Sequence, residues 1–148
     1  LSISQVKTIA FNGIECIPID VQVHIGNGLP YFTIVGLPDK SIGEARERIR
    51  AAFSVIGLSL PPKRITVNMS PASLQKEGSH YDFPIAIAIL VALGIVPEDA
   101  VTNWIVLGEL GLDGGLQNVP GVLMSAIFAL GNGLTLVCPN GSGNEARL

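Results

Sequence analysis

Ile65-Thr-Val-Asn-Met-Ser-Pro-Ala-Ser-Leu-Gln-Lys-Glu-Gly-Ser-His-Tyr-Asp-Phe-Pro-Ile-Ala-Ile-Ala-Ile-Leu90 reads as a buried strand, a polar loop and an almost wholly apolar helix. Ile65, Val67 and Met69 alternate with polar neighbours, which is the period of a strand. Residues 70 to 82 are the polar loop. Phe83 to Leu93 is apolar nearly all round, so the helix it forms belongs deep in the domain, and Gly94 is placed to end it. Asp82 or a neighbour is positioned to cap that helix. A strand that empties into a loop at a helix N-terminus leaves backbone N–H groups free, where the helix dipole favours anions. Such a place often carries chemistry, so the segment is either an active site or the remains of one.

Upstream of it, residues 3 to 11 read as a strand turned at Asn12-Gly13, a hairpin signal. Residues 15 to 25 alternate, with Ile17, Ile19, Val21, Val23 and Ile25 on one face and Pro18, Asp20, Gln22 and His24 on the other. Gly26-Asn27-Gly28 turns the chain into a third strand, Tyr31 to Val35. A helix follows, with Ser41 and Glu44 in a capping-box pattern and Asp39 as a rival N-cap. Ile42, Ala45, Ile49, Ala52, Phe53 and Ile56 form its apolar stripe, and Gly57 is placed to stop it.

Downstream, Trp104 to Leu110 reads as a strand and Asp113-Gly114 as a second hairpin turn. Val122 to Leu130 reads as a third helix, Leu134 to Val137 as a last strand, and Pro139 to Leu148 as a ragged end. The order β-β-β-α-β-α-β-β-α-β predicts an α+β domain with a mixed sheet and its helices mainly on one face.

The 148 residues are one domain's worth, enough to bury roughly 70% of the unfolded surface. Hydrophobic residues make up 48%, charged residues 14%, and the mean hydropathy is +0.50, which excludes disorder. So apolar a chain has either a well-filled core or a face that docks on another domain. The longest apolar run, Phe83 to Val96, is interrupted by Pro84 and Gly94 and is shorter than the roughly 20 residues a membrane-spanning helix needs. Cys16 and Cys138 have no metal-ligand spacing and pair as a bridge or stand as two thiols. A reducing, cytoplasmic location fits that cysteine usage.

Net charge is −3 but unevenly spread. Lys40, Arg46, Arg48, Arg50, Lys63, Arg64 and Lys76, with only Glu44 and Glu47 among them, give a span of net +5 in a remainder of −8. The span suits nucleic acid or an acidic partner. It equally suits a solvated helix face with ion pairs such as Glu44 to Arg48 at i,i+4.

No phosphate-binding loop of either glycine-rich type occurs, and the two histidines, His24 and His80, make no metal-ligand set. Ser79, His80 and Asp82 lie within four positions on one loop, whereas a Ser-His-Asp relay needs side chains converging from different elements.

Several long phrases stand out: Gly28-Leu-Pro-Tyr-Phe-Thr-Ile-Val-Gly-Leu-Pro-Asp39, Lys63-Arg-Ile-Thr-Val-Asn-Met-Ser-Pro-Ala72, Lys76-Glu-Gly-Ser-His-Tyr-Asp-Phe-Pro-Ile-Ala86, Leu107-Gly-Glu-Leu-Gly-Leu-Asp-Gly114 and Val119-Pro-Gly-Val-Leu123. Together they resemble the N-terminal domain of the ComM/YifB proteins, a magnesium-chelatase-like family related to the ChlI subunit. The resemblance runs over essentially the whole chain. It implies a fold like the proteolytic domain of Lon protease, within the superfold of the second domain of the small-subunit ribosomal protein five. It also implies that residues 1–148 form a single domain cut before an AAA+ ATPase module. ATP and Mg would bind in that module, and no cofactor or metal in this domain. Family members of the ComM type are homo-hexameric DNA helicases promoting branch migration in natural transformation. The partners implied are therefore the chain's own ATPase module, further copies and DNA, with no membrane.

Lon uses a Ser-Lys dyad. Matching its Pro-Lys-Asp-Gly-type loop to Gln75-Lys-Glu-Gly78 puts Asp82 where the serine belongs, and matching its Gly-Gly-Leu turn to Gly121-Val-Leu puts Ser125 at the lysine. No Lys or Arg lies between Lys76 and Arg147, so the nucleophile and its base are both lost and no catalytic residue is expected. The chain also carries Gln117-Asn-Val-Pro-Gly121 where the family often has Arg-Pro-Val-Arg-Gly. The expectation is a non-catalytic accessory domain. Its rivals are a Lon-like peptidase with a rearranged site, using Asp82 and Ser125 with Ser79 or His80, and a magnesium-chelatase motor subunit.

Overall fold

The computed structural model describes residues 2–142. Of the expected ragged end, residues 143–148 lie outside the described residues. Before them, Asn140–Ser142 is a 3₁₀ turn.

Strands β1 (Ser2–Asn12) and β2 (Glu15–Gly26) form a long antiparallel hairpin in unbroken register from Ser2 opposite Ile25 to Asn12 opposite Glu15. Gly13 takes the left-handed turn position at φ +62°. Strand β4 (Arg64–Ser70) lies antiparallel on β2, and β3 (Tyr31–Val35) lies parallel outside β4. On the other side β5 (Trp104–Val106) pairs parallel with β1, and β8 (Thr135–Val137) parallel with β5. The six-stranded mixed sheet runs β3-β4-β2-β1-β5-β8, and a separate ribbon joins β6 (Glu109–Leu110) to β7 (Leu116–Gln117) around the predicted Asp113-Gly114 turn. The α+β expectation with a mixed sheet is met.

The expected alternation of β2 becomes the larger core. Ile19, Val21 and Val23 are fully buried with Val67 and Met69 of β4, beneath helices α1 (Asp39–Val55) and α2 (Asp82–Ala92). α2 buries seven of its residues, including Ile85, Ala88 and Ile89, as an apolar helix must when laid across a sheet. The Ser4 hydroxyl of β1 donates to the Ala88 carbonyl at 2.5 Å and ties sheet to helix.

The third helix, α3 (Val122–Gly131), serves the other side of the sheet. On β1, Val6 and Ala10 belong to the larger core, whereas their alternate neighbour Ile9 joins Ile105, Leu107 and Val122 in a second one. Successive strand residues face opposite ways, so α1 and α2 share one face and α3 takes part of the other. Cys16 and Cys138 both pack at the edge of this second core as free thiols, and burial raises both above the ordinary thiol value.

Three boundary expectations need correction. The Ser41–Glu44 capping box does not form. α1 starts at Asp39 behind Pro38, whose carbonyl takes the N–H groups of Ser41 at 2.9 Å and Ile42 at 3.2 Å, and no side chain caps it. Ile56 falls past the helix end and is 59% exposed, because Gly57 turns left-handed there and Leu58 N–H folds back onto the Phe53 carbonyl. The strand expected to run from Trp104 to Leu110 breaks after Val106. Gly108 instead donates to the His80 carbonyl and accepts from Phe83 N–H, both at 3.0 Å. A Cβ at Gly108 would sit 3.2 Å from Phe83 Cβ, so glycine allows this close approach. The break carries β6 to the start of α2.

Candidate functional site

The start of α2 is where the sequence pointed. Asp82 is its first helical residue and is 1% exposed. Its carboxylate does not cap the helix, as expected from sequence, but faces α1. Arg48 grips it with two donors, Nε to Oδ2 at 2.5 Å and Nη2 to Oδ1 at 3.0 Å, and Leu110 N–H of β6 adds a third at 3.1 Å. One carboxylate thus joins α1, α2 and the β6–β7 ribbon. The hydrogen bond to Asp82, more than any other influence, raises the Arg48 guanidinium above its ordinary value. Burial pushes the Asp82 carboxyl up, and Arg48 and the Leu110 N–H pull it back toward the charged form. The planar fork of arginine fits such a two-oxygen grip, whereas lysine would not.

A cleft of about 300 Å³ opens beside the pair, lined by Ser41, Glu44, Arg48, Ser79, Asp82 and Glu109 among others. Its acids and serines surround an arginine that is already paired. No group of three or more His, Cys, Asp or Glu is arranged to hold a metal among the described residues.

The loop residues split between two directions. His80 Nε2 lies 2.6 Å from the Ile9 carbonyl and therefore carries the ring proton. Its ring packs on Tyr81 at 4.0 Å and Phe11 at 5.4 Å, and burial lowers its pKa. His80 thus faces β1 while Asp82 faces α1. The Tyr81 hydroxyl is buried without a hydrogen-bond partner among the described residues.

Ser125 is fully buried in α3, and its hydroxyl donates to the Gly121 carbonyl one turn back at 2.8 Å. Asp82 and Ser125, the positions matched by sequence to a Ser-Lys dyad, are thus each engaged elsewhere. They share no hydrogen bond among the described residues.

The basic span is not one surface. Lys76 must be removed from it: the residue is 1% exposed, and its ammonium donates to the carbonyls of Pro71 at 2.6 Å and Leu74 at 3.0 Å. Burial lowers its pKa, and it staples the loop from within. Arg48 is likewise taken up by Asp82, and the expected i,i+4 pair with Glu44 does not form. Arg46 donates to the Phe32 carbonyl of β3 at 2.9 Å, and Arg50 lies 5.5 Å over the Phe32 ring. Lys40, Lys63 and Arg64 are exposed, and their side chains make no hydrogen bond or ion pair among the described residues.

The Arg48–Asp82 grip escapes sequence reading because its partners lie 34 positions apart. The available signal was the absence of any lysine or arginine after Asp82 until Arg147, which leaves only upstream bases to neutralise it.

Residues 21–142 match the family model described as subunit ChlI of Mg-chelatase. The chain belongs to the ChlI family. Over its whole length, this ChlI-family domain is 42% identical to YifB of Escherichia coli strain K12 and 38% identical to the competence protein ComM of Haemophilus influenzae. The chain spans 29% of the length of either relative, in their N-terminal part.

Proposed function

We propose that this domain is a non-catalytic accessory and assembly domain of a longer ComM-type AAA+ ATPase, cytoplasmic and homo-hexameric, that acts on DNA in branch migration during transformation and recombination. The observation that carries this reading is the Arg48–Asp82 pair. The position matched to a protease nucleophile holds a buried carboxylate tied by three donors. A carboxylate so held is committed to the fold, and Arg48, which stays protonated, cannot serve as a general base. The site thereby becomes a joint between three elements. The likeness to a competence protein supports the DNA role, and the Lon-like fold remains part of the same reading. ATP and Mg belong to the module beyond this domain.

Lys40, Lys63 and Arg64 are the residues to meet phosphates, because each is exposed and uncommitted. Arg46 and Arg50 hold β3 and contribute second. Replacing Lys40, Lys63 and Arg64 by Glu in the full-length protein tests this. DNA affinity should fall, and the salt dependence of binding should flatten by about one counterion for each phosphate no longer neutralised. Unchanged affinity and slope in a folded variant would leave a purely structural domain.

A second reading rests on the family model's own description, a subunit of Mg-chelatase. On it the longer protein drives magnesium insertion into a tetrapyrrole. Metal insertion assayed with the remaining chelatase subunits separates the two readings.

A further inference from the structure

Between Asp113 and Glu145 the sequence has no charged side chain. Within that stretch lies α3, and α3 is not buried. Leu123 is 38% exposed, Ile127 55% and Leu130 73%. Spaced at i, i+4 and i+7, they form one stripe on the side of the helix turned away from Val122, Ser125 and Ala129. A helix that meets water on one side normally carries charges there, and this one has none.

We infer that the exposed Leu123–Ile127–Leu130 stripe of α3 is the seat of the polypeptide that follows this domain in the same chain. Three observations favour that occupant over a second copy. The relatives continue well past the matched N-terminal region. The described chain also leaves beside the stripe's helix: the closing turn places Gly141 so close to Asn118, in the loop that enters α3, that a Cβ there would lie 2.6 Å from the Asn118 side chain. Finally, three side chains make a patch on the order of a few hundred Å². That falls short of the roughly 800 Å² per partner that separate molecules need. A tethered partner meets the patch at an effective concentration on the order of mM, so a small patch suffices. The assignment rests on the accessory-domain reading and deepens it by naming the face that docks.

The test uses the full-length protein with Cys16→Ser and Cys138→Ser, every cysteine beyond residue 148 likewise replaced, and Ile127→Cys as a single labelling site. Benzophenone maleimide on that thiol, followed by photolysis of mixed ¹⁴N and ¹⁵N chains, reports what lies over the stripe. Crosslinks within one chain to peptides beyond residue 148 are the expected result, with thiol labelling at least ~10-fold slower than in the unfolded chain. Crosslinks between isotopically different chains would overturn it in favour of a second copy. Crosslinks confined to residues 1–148, or labelling as fast as in the unfolded chain, would overturn it outright. ATP hydrolysis measured on the same sample keeps the two ideas apart. Hydrolysis with an open stripe defeats the docking alone, and absent hydrolysis defeats the motor reading.

Discussion

α2 and α3 are near twins in composition and opposites in fate. Both are almost wholly apolar, Asp82 being the single charge in either. α2 lies across the β1–β2 hairpin beside α1 and buries seven of its eleven residues, whereas α3 buries three of its ten and shows Ile127 and Leu130 to solvent. An apolar helix therefore marks a surface that leaves water somewhere, either in the domain's own core or against something beyond it. Asp82 sharpens the contrast. The buried helix carries the charge, because α1 supplies Arg48 to neutralise it. The exposed helix carries none.

The comparison is broken most severely at the ion pair. Arg48→Ala leaves the buried Asp82 carboxylate uncompensated and should cost about 3–5 kcal/mol of stability, read from the denaturant midpoint. Replacing both partners, as Arg48→Met with Asp82→Leu, should recover most of that loss, because the buried charge goes with its partner. Failure of the double variant to recover would show that Asp82 also acts through Leu110 N–H alone. Ile89→Ala comes next, at about 2–4 kcal/mol, as a cavity opens beneath α2. Ile127→Ala on α3 should stay within about 0.5 kcal/mol in this 148-residue chain, since its side chain lies mostly outside the packing. A cost for Ile127→Ala equal to that of Ile89→Ala would erase the distinction between the helices.

Acid tests the N-terminal end of α2 in a different way. Burial depresses the His80 pKa in the folded protein, and the Ile9 carbonyl only partly offsets it. A histidine held neutral stabilises the fold fully above its unfolded pKa of about 6.5 and loses that contribution as pH falls toward the lower folded value. Stability of the parent should therefore drop on acidification below about pH 6.5. His80→Gln should flatten the drop, a change followed by thermal melts across that range. Ser4→Ala, which removes one hydroxyl-to-carbonyl bond to α2, should cost about 1 kcal/mol, between Ile89→Ala and Ile127→Ala.

Much of this architecture is legible from residue patterns. The period of two in β2 and β4, the hairpin turns at Gly13 and Gly114 and the helix stop at Gly57 are local statements, written in neighbouring residues. The site is less legible. Asp82 reads as a cap and Lys76 as part of a basic surface because each stands beside polar neighbours in sequence. In space Asp82 faces Arg48, and Lys76 turns inward onto its own loop's carbonyls. The broken strand at Leu107-Gly108 is invisible for a related reason. Its hydrogen bonds go to His80 and Phe83, distant in sequence, and only the packed structure brings them together.

The sequence by itself determined the three helices, most of the strands and the buried faces of the central strands. Those depend on side-chain period and residue identity, which the chain carries locally. The tertiary structure alone decided that α1 and α2 share one face of the sheet while α3 takes the other. It also decided that Arg48 neutralises Asp82 and that one of two like helices is left facing outward. Each depends on which distant segments meet, and burial, charge pairing and exposure acquire their energies only after that meeting.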